Sequence, residues 1–208
     1  DFDKYLLNKL FELVEFADQE LTNYEYASAM DKTEVFFWSL FCDNYLEITK
    51  SRAYNEKADD NEGALSSHLT LYHSLKILLQ LFAPILPHIT EELFQILYTN
   101  NSQSIHSKGS WPQVLNAKFT DLQEESCENL LEILELVRKI KAQDNLSIKS
   151  PIDYIEVVGN KLPDNLISDL KDVTSSNKIE HVQNLTSTTQ NLQGKNVQIN
   201  VMYNGTVA

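Results

Sequence analysis

Five polar side chains fall at helical spacing in one stretch: Ser39, Asp43, Glu47, Lys50 and Tyr54. At ~100° per residue, steps of four, four, three and four place them in one narrow strip. Leu46 lies beside the strip, next to Asp43 and Lys50, and Arg52 follows close behind. This set can handle single-stranded nucleic acid. A carboxylate accepts from base amino groups, an ammonium meets a phosphate or a base acceptor, and Leu46 packs on a base face. Tyr and Arg planes stack. The simpler alternative is a surface ion pair between Glu47 and Lys50 at i, i+3. A second basic group, Arg138, Lys139 and Lys141, has Lys149 nearby. It suits either a nucleic-acid backbone or the negative end of a helix dipole.

Other chemistries lack their parts. No glycine-rich loop offers a phosphate cradle, and no Gly-x-Ser-x-Gly elbow supports a hydrolase. Metal sites in helical bundles use repeated Glu-x-x-His pairs, whereas His88 and Glu91 form one reversed pair. His68 and His73 diverge by ~140° on a helix. We therefore expect no catalytic residue, no metal and no cofactor within this chain. Cys42 and Cys127 read as small apolar residues rather than a disulfide framework. The formal net charge of −13 argues against a broad basic footprint for nucleic acid and favours a protein partner. No apolar run is long enough to span a membrane.

The elements that must position these groups are mostly helical. The strip lies on a stretch from Phe36 to Arg52 without Gly or Pro, rich in large apolar residues. Such a helix is expected near the centre of a bundle, with Trp38 and Phe41 on its buried side. A first helix is expected over 3–21. Thr22 and Glu25 offer a capping box for a second over 24–54. A third over 64–82 should bury Leu65, Leu69, Tyr72, Leu75, Leu79 and Phe82. Pro84 and Pro87 turn the chain into a fourth, buried through Leu93, Phe94, Ile96 and Leu97. Residues 99–119 read as loop, with Trp111-Pro112 as an anchor. A fifth helix over 121–143 has acidic first turns, a basic end and a seam of Leu130, Ile133, Leu134, Val137 and Ile140. From Pro151 the period falls to two. Strands are expected at 154–158, 178–182 and 197–203, a short helix at 163–173, loop at 183–193 and a hairpin turn at Asn204-Gly205. The fold class is mainly α: an antiparallel helical bundle over 1–118, then a long helix and a small α/β subdomain over 119–208.

The pattern F-F-W-x-x-F-C-D-x-Y-L-E-x-x-K, from Phe36 to Lys50, resembles the signature helix of the anticodon-binding domain of valyl-tRNA synthetases. A second matching block runs from Leu81 to Phe94, L-F-A-P-I-L-P-H-I-T-E-E-L-F. Ser104-Ile105-His106 followed by Trp111-Pro112 is the third. Isoleucyl and leucyl relatives share the proline block and resemble the C-D-x-Y-L-E helix less well. The resemblance implies the helical bundle of a class I synthetase anticodon domain, with the Asp43–Lys50 strip bordering the anticodon. Asp43, Leu46, Glu47, Lys50, Arg52 and Tyr54 would be the tRNA-binding set, and Arg138, Lys139 and Lys141 a contact to the tRNA backbone.

The partners implied are a valine tRNA and the catalytic domain of the same polypeptide, with no DNA and no membrane, in the cytoplasm. The ATP-site signatures H-I-G-H and K-M-S-K-S are absent, so ATP and Mg would serve the parent enzyme and ligase chemistry would lie outside this chain. The family's N-K-L-W-N-A segment would precede Asp1, making the chain a piece of a longer enzyme. Two readings compete. One is a helical protein–protein docking module, which the acidic charge favours; the other is the equivalent region of an isoleucyl-tRNA synthetase.

Overall fold

Long segments without Gly or Pro dominate the first two-thirds of the chain, and they fold as helices. The computed structural model describes residues 1–54, 61–98, 103–107, 111–112, 121–186 and 191–203. Two units emerge. One comprises Asp3–Leu46 and Ala58–Lys118; the other comprises Asp1–Phe2, Glu47–Lys57 and Phe119–Ala208.

In the helical unit, α1 (Phe2–Thr22) matches the expected first helix. It ends where Glu25 N–H donates to the Glu20 carbonyl and Tyr24 N–H to that of Leu21, the pairing of a Schellman stop. Tyr24 takes the left-handed position, at φ 64°. The expected capping box does not form. α2 (Tyr26–Val35) starts later, and its cap residue Glu25 makes no side-chain capping bond. α2 passes into a π-helix over Phe36–Tyr45 and then α3 (Leu46–Ala53) without a break. The wider winding was not legible in the sequence. Its mark is the Asn44 amide, which donates to the Ser39 carbonyl five residues back at 2.7 Å, beside the i→i−5 backbone pattern of a π-helix. Phe41 and Tyr45 are buried and stack on one another at 6.2 Å. The Tyr45 hydroxyl donates to the buried Asp3 carboxylate at 2.8 Å, and Ser66 donates to its other oxygen. Those bonds compensate a charge that would be costly to bury alone.

α4 (Asn61–Phe82) corrects the expected facing. It buries Ala64, Ser67, Thr70, Ser74, Leu78, Leu79 and Leu81, while Leu65, Leu69 and Tyr72 are exposed. A buried hydroxyl can be satisfied by its own helix, as Ser67 is by the Gly63 carbonyl at 2.8 Å. α5 (Pro87–Tyr98) begins at Pro87 as expected. Of its predicted seam only Phe94 is buried; Leu93, Ile96 and Leu97 are exposed. Trp38 is 56% exposed, again against expectation. Phe94 joins Leu79, Ala83 and Ile105 in a small core. Glu91 fastens the stretch after α5, accepting from the Ser104 hydroxyl at 2.9 Å and Ile105 N–H at 3.0 Å. Desolvation opposes its charge, but bonds from Ser104, Gln95 and Ile105 outweigh that and hold its carboxyl below the usual range.

In the other unit, α6 (Asp121–Gln143) buries Leu130, Ile133, Leu134, Val137 and Ile140 as expected. The sheet is ordered β2-β1-β4-β3. β1 (Ile152–Val158) pairs parallel with β2 (Ser176–His181), the crossover being α7 (Asp164–Thr174). β4 (Gln198–Met202) lies antiparallel to β1 and to β3 (Asn191–Gln193). β3 falls where loop was expected. β4, expected to be half-buried, covers both faces: Ile199, Asn200 and Val201 are all buried. Asn200 can be inside because its amide donates to the buried Glu156 at 3.0 Å. Between β3 and β4 the turn cradles Glu132 of α6, whose carboxylate accepts from the Lys195 and Asn196 N–H groups. A Cβ at Gly194 would run into that carboxylate. The Asn204-Gly205 turn lies outside the described residues.

Candidate nucleic-acid interface

The predicted strip starts on the π-helix and continues along α3. Asp43 is exposed and Leu46 is 37% exposed; both belong to the helical unit. Glu47, Lys50, Arg52 and Tyr54 belong to the other. On α3, the Glu47 and Lys50 side chains are about half exposed and lie 3.6 Å apart. A solvated pair at that distance is held by only ~0–1 kcal/mol, so either member can exchange its partner for a ligand at little cost. Tyr54 is 73% exposed, a free aromatic plane. Both faces of α3 are explained by its sequence: Ile48 and Thr49 turn inward, and the charged residues remain in water.

Arg52 behaves differently. Its Nε donates to Asp169 of α7 at 2.9 Å, and the two side chains are only 18% and 6% exposed. A guanidinium so placed fastens α3 to α7 within its unit. It holds the helix that carries Glu47 and Lys50.

The second basic group does not come together as one surface. Lys139 is exposed and paired with Glu135 at 2.6 Å, whose carboxyl is lowered by that hydrogen bond and charge. Arg138 is half-buried. Lys141 requires correction. It is 1% exposed, and its ammonium donates to the carbonyls of Ile148, Ser150 and Thr174 at 2.6, 2.8 and 2.8 Å. Burial pushes its pKa down to about 8. Three protons meeting three carbonyls is a structural clamp, and it leaves nothing for a tRNA phosphate. The sequence shows only a cation near a helix end; the three acceptors lie 7, 9 and 33 residues away.

Cys42 is half-buried and Cys127 buried, and burial raises both thiols, Cys127 to about 12. Burial thus disfavours the reactive thiolate at both positions. Among the described residues, no group of three His, Cys, Asp or Glu side chains is placed to hold a metal, and no helix is long and apolar enough to cross a membrane.

Residues 3–158 match the family described as the anticodon-binding domain of tRNA ligase. The chain belongs to that family. The match takes in the whole strip, the proline corner, the Glu91 latch and α6, and it ends with β1. Among curated proteins, valine–tRNA ligase of Rickettsia felis is 50% identical over 202 residues, 97% of this chain and 22% of the relative. The Rickettsia rickettsii (strain Sheila Smith) protein of the same name is 55% identical over 180 residues, 86% of this chain and 22% of the relative. That of Rickettsia akari is 49% identical over 203 residues, 98% of this chain and 24% of the relative. The chain therefore spans between a fifth and a quarter of the length of these relatives. Within the second unit, Glu47 is an exposed acceptor, Lys50 an exposed cation and Tyr54 an exposed aromatic plane.

Proposed function

We propose that this chain is the anticodon-binding region of a valine–tRNA ligase, and that it holds the anticodon loop of a valine tRNA. The observation that supports this most is the identity of about one residue in two to valine–tRNA ligases along 97% of the chain, within a family match that contains the strip. In this reading Asp43 and Glu47 accept from base amino groups, Leu46 packs on a base, and Lys50 meets a phosphate or a base acceptor. Tyr54 stacks, and Arg52 positions α3 through Asp169. Lys139, with Arg138 beside it, is the remaining candidate for the tRNA backbone. The reaction itself, joining valine to its tRNA with ATP and Mg, belongs to a catalytic domain of the same cytoplasmic polypeptide, so this region holds neither cofactor nor metal. The partners are tRNA and that domain, without DNA or membrane.

The experiment uses the full-length synthetase. If Lys50 meets a phosphate, Lys50→Ala weakens binding of all tRNAs alike and lowers the salt slope by about one. If it meets a base, discrimination against an anticodon-swapped tRNA shrinks by ~1–3 kcal/mol, the scale of a good base contact. Unchanged affinity and discrimination in both Lys50→Ala and Glu47→Ala refute the reading of the strip. The net charge of −13 favours a second reading, a protein-docking module. Retention of tRNA that falls steeply with salt separates the two, because phosphate contacts release counterions.

A further inference from the structure

α3 has only eight residues, too few to hold a direction by its own hydrogen bonds. It nonetheless carries Glu47 and Lys50, with Tyr54 just past its end. Ile48 and Thr49 are its buried residues. A helix with so narrow an inner face can roll or tilt unless its far end is gripped.

Arg52 is where it is gripped, and Asp169 of α7 does the gripping. From Glu47 onward, α3 and α7 belong to one unit. The 2.9 Å bond from Arg52 Nε joins side chains that are 18% and 6% exposed. A charge-assisted bond with little access to water fixes direction as well as distance. Asp169 can hold because its own helix cannot move. Leu166 and Leu170, on the same face as Asp169 by their i, i+3, i+4 spacing, are wholly buried. The last residue of α7, Thr174, gives its carbonyl to the Lys141 ammonium of α6 at 2.8 Å. α7 is thus pinned to α6 at one end and holds α3 from its middle. Asp169 also lies beyond residue 158, where the family match ends. The group that orients the strip helix comes from the α/β subdomain, and at 4% exposure it is too deep to touch RNA itself.

We infer that Asp169 is a positioning residue for tRNA binding: through Arg52 it sets the direction of α3, and hence of Glu47, Lys50 and Tyr54. This rests on the reading of the strip as a tRNA-binding surface, and it gives the α/β subdomain a part in tRNA affinity.

The test is steady-state aminoacylation by the full-length synthetase. Asp169→Asn keeps the size and an acceptor and removes the charge. It should raise KM for valine tRNA about five- to tenfold, the scale of a coupled pair. Both kcat and valine-dependent pyrophosphate exchange without tRNA should change by less than about twofold, as expected when binding alone is lost. A second variant combines Arg52→Met with Asp169→Leu, which strands no charge and so should fold. It should raise the same KM at least as much. A role in stability alone would lower the unfolding midpoint and leave that KM where it was. Residues that act through one another do not add, so Asp169→Asn placed on Lys50→Ala with Glu47→Ala should raise KM by less than about twofold further. An unchanged KM in either Asp169 variant overturns the inference, as does a full increase on the Lys50 and Glu47 background. Lys50→Ala and Glu47→Ala without effect on KM sink the strip reading and this inference with it. Strip variants that raise KM beside an Asp169→Asn that does not sink this inference alone.

Discussion

α4 and α6 carry similar apolar patterns in sequence and meet opposite fates. Along α6, Leu130, Ile133 and Ile140 are no more than 2% exposed. Along α4, Leu65 is 59% and Leu69 50% exposed, while Ser67 and Ser74 are wholly buried. The seam of α6 is covered by the sheet and α7, all encoded in the same 208 residues. The outer face of α4 and most of α5 have no such cover among the described residues. Periodicity reports that a face is apolar. It does not report whether the covering element lies within the same stretch of chain.

The largest effect should come from the closed face. Ile133→Ala removes a fully buried side chain and should cost ~2–5 kcal/mol in urea unfolding. A cost below ~1 kcal/mol would mean that the α6 seam is no tighter than the outer face of α4, and the contrast would collapse.

The same difference explains what was legible. The range of α6 follows from its acidic start, basic end and single seam, and the structure reproduces it. The strand–helix–strand order of β1, α7 and β2 also follows from the change of period after Pro151. The π-helix did not follow, because its mark is a change in backbone register rather than in residue type. In the candidate site, the exposure of Glu47, Lys50 and Tyr54 was legible from the wheel. The role of Arg52 was not, since its partner Asp169 is 117 residues away. Long-range partners decide which charges remain in water, and a local pattern carries no record of them.

Lys141 sharpens the comparison at its polar extreme. Lys141→Met removes the ammonium from three carbonyls, one of them, Thr174, buried; a buried acceptor left unsatisfied is expensive, and the change should destabilise by about 1–3 kcal/mol at neutral pH. The pH dependence has a definite sign. Burial lowers the folded pKa to about 8 from 10.5. Between those values the unfolded lysine keeps a proton that the folded one releases, so this lysine makes stability rise with pH across that window. Tyr154, Tyr203 and Cys127, all raised to about 12, pull the other way at high pH. The informative quantity is therefore the stability of the natural chain minus that of Lys141→Met. It should grow from pH 8 to 10.5, and a flat difference would show that the amine does not titrate in its cage.

The smallest effect should come from the open face. Leu69→Ala trims a side chain that is half in water, so it forfeits few contacts and leaves no cavity. In the 208-residue chain its cost should stay within ~0.5 kcal/mol, the range of ordinary surface substitutions. A leucine is nonetheless an expensive choice for a solvated position, where a polar residue would serve solubility better. The residue makes physical sense if a larger protein dries that face. The same substitution should then cost more in the full-length synthetase than in the chain alone, and the excess measures the covering contact directly. Equal small costs in both would show that Leu69 stays in water throughout.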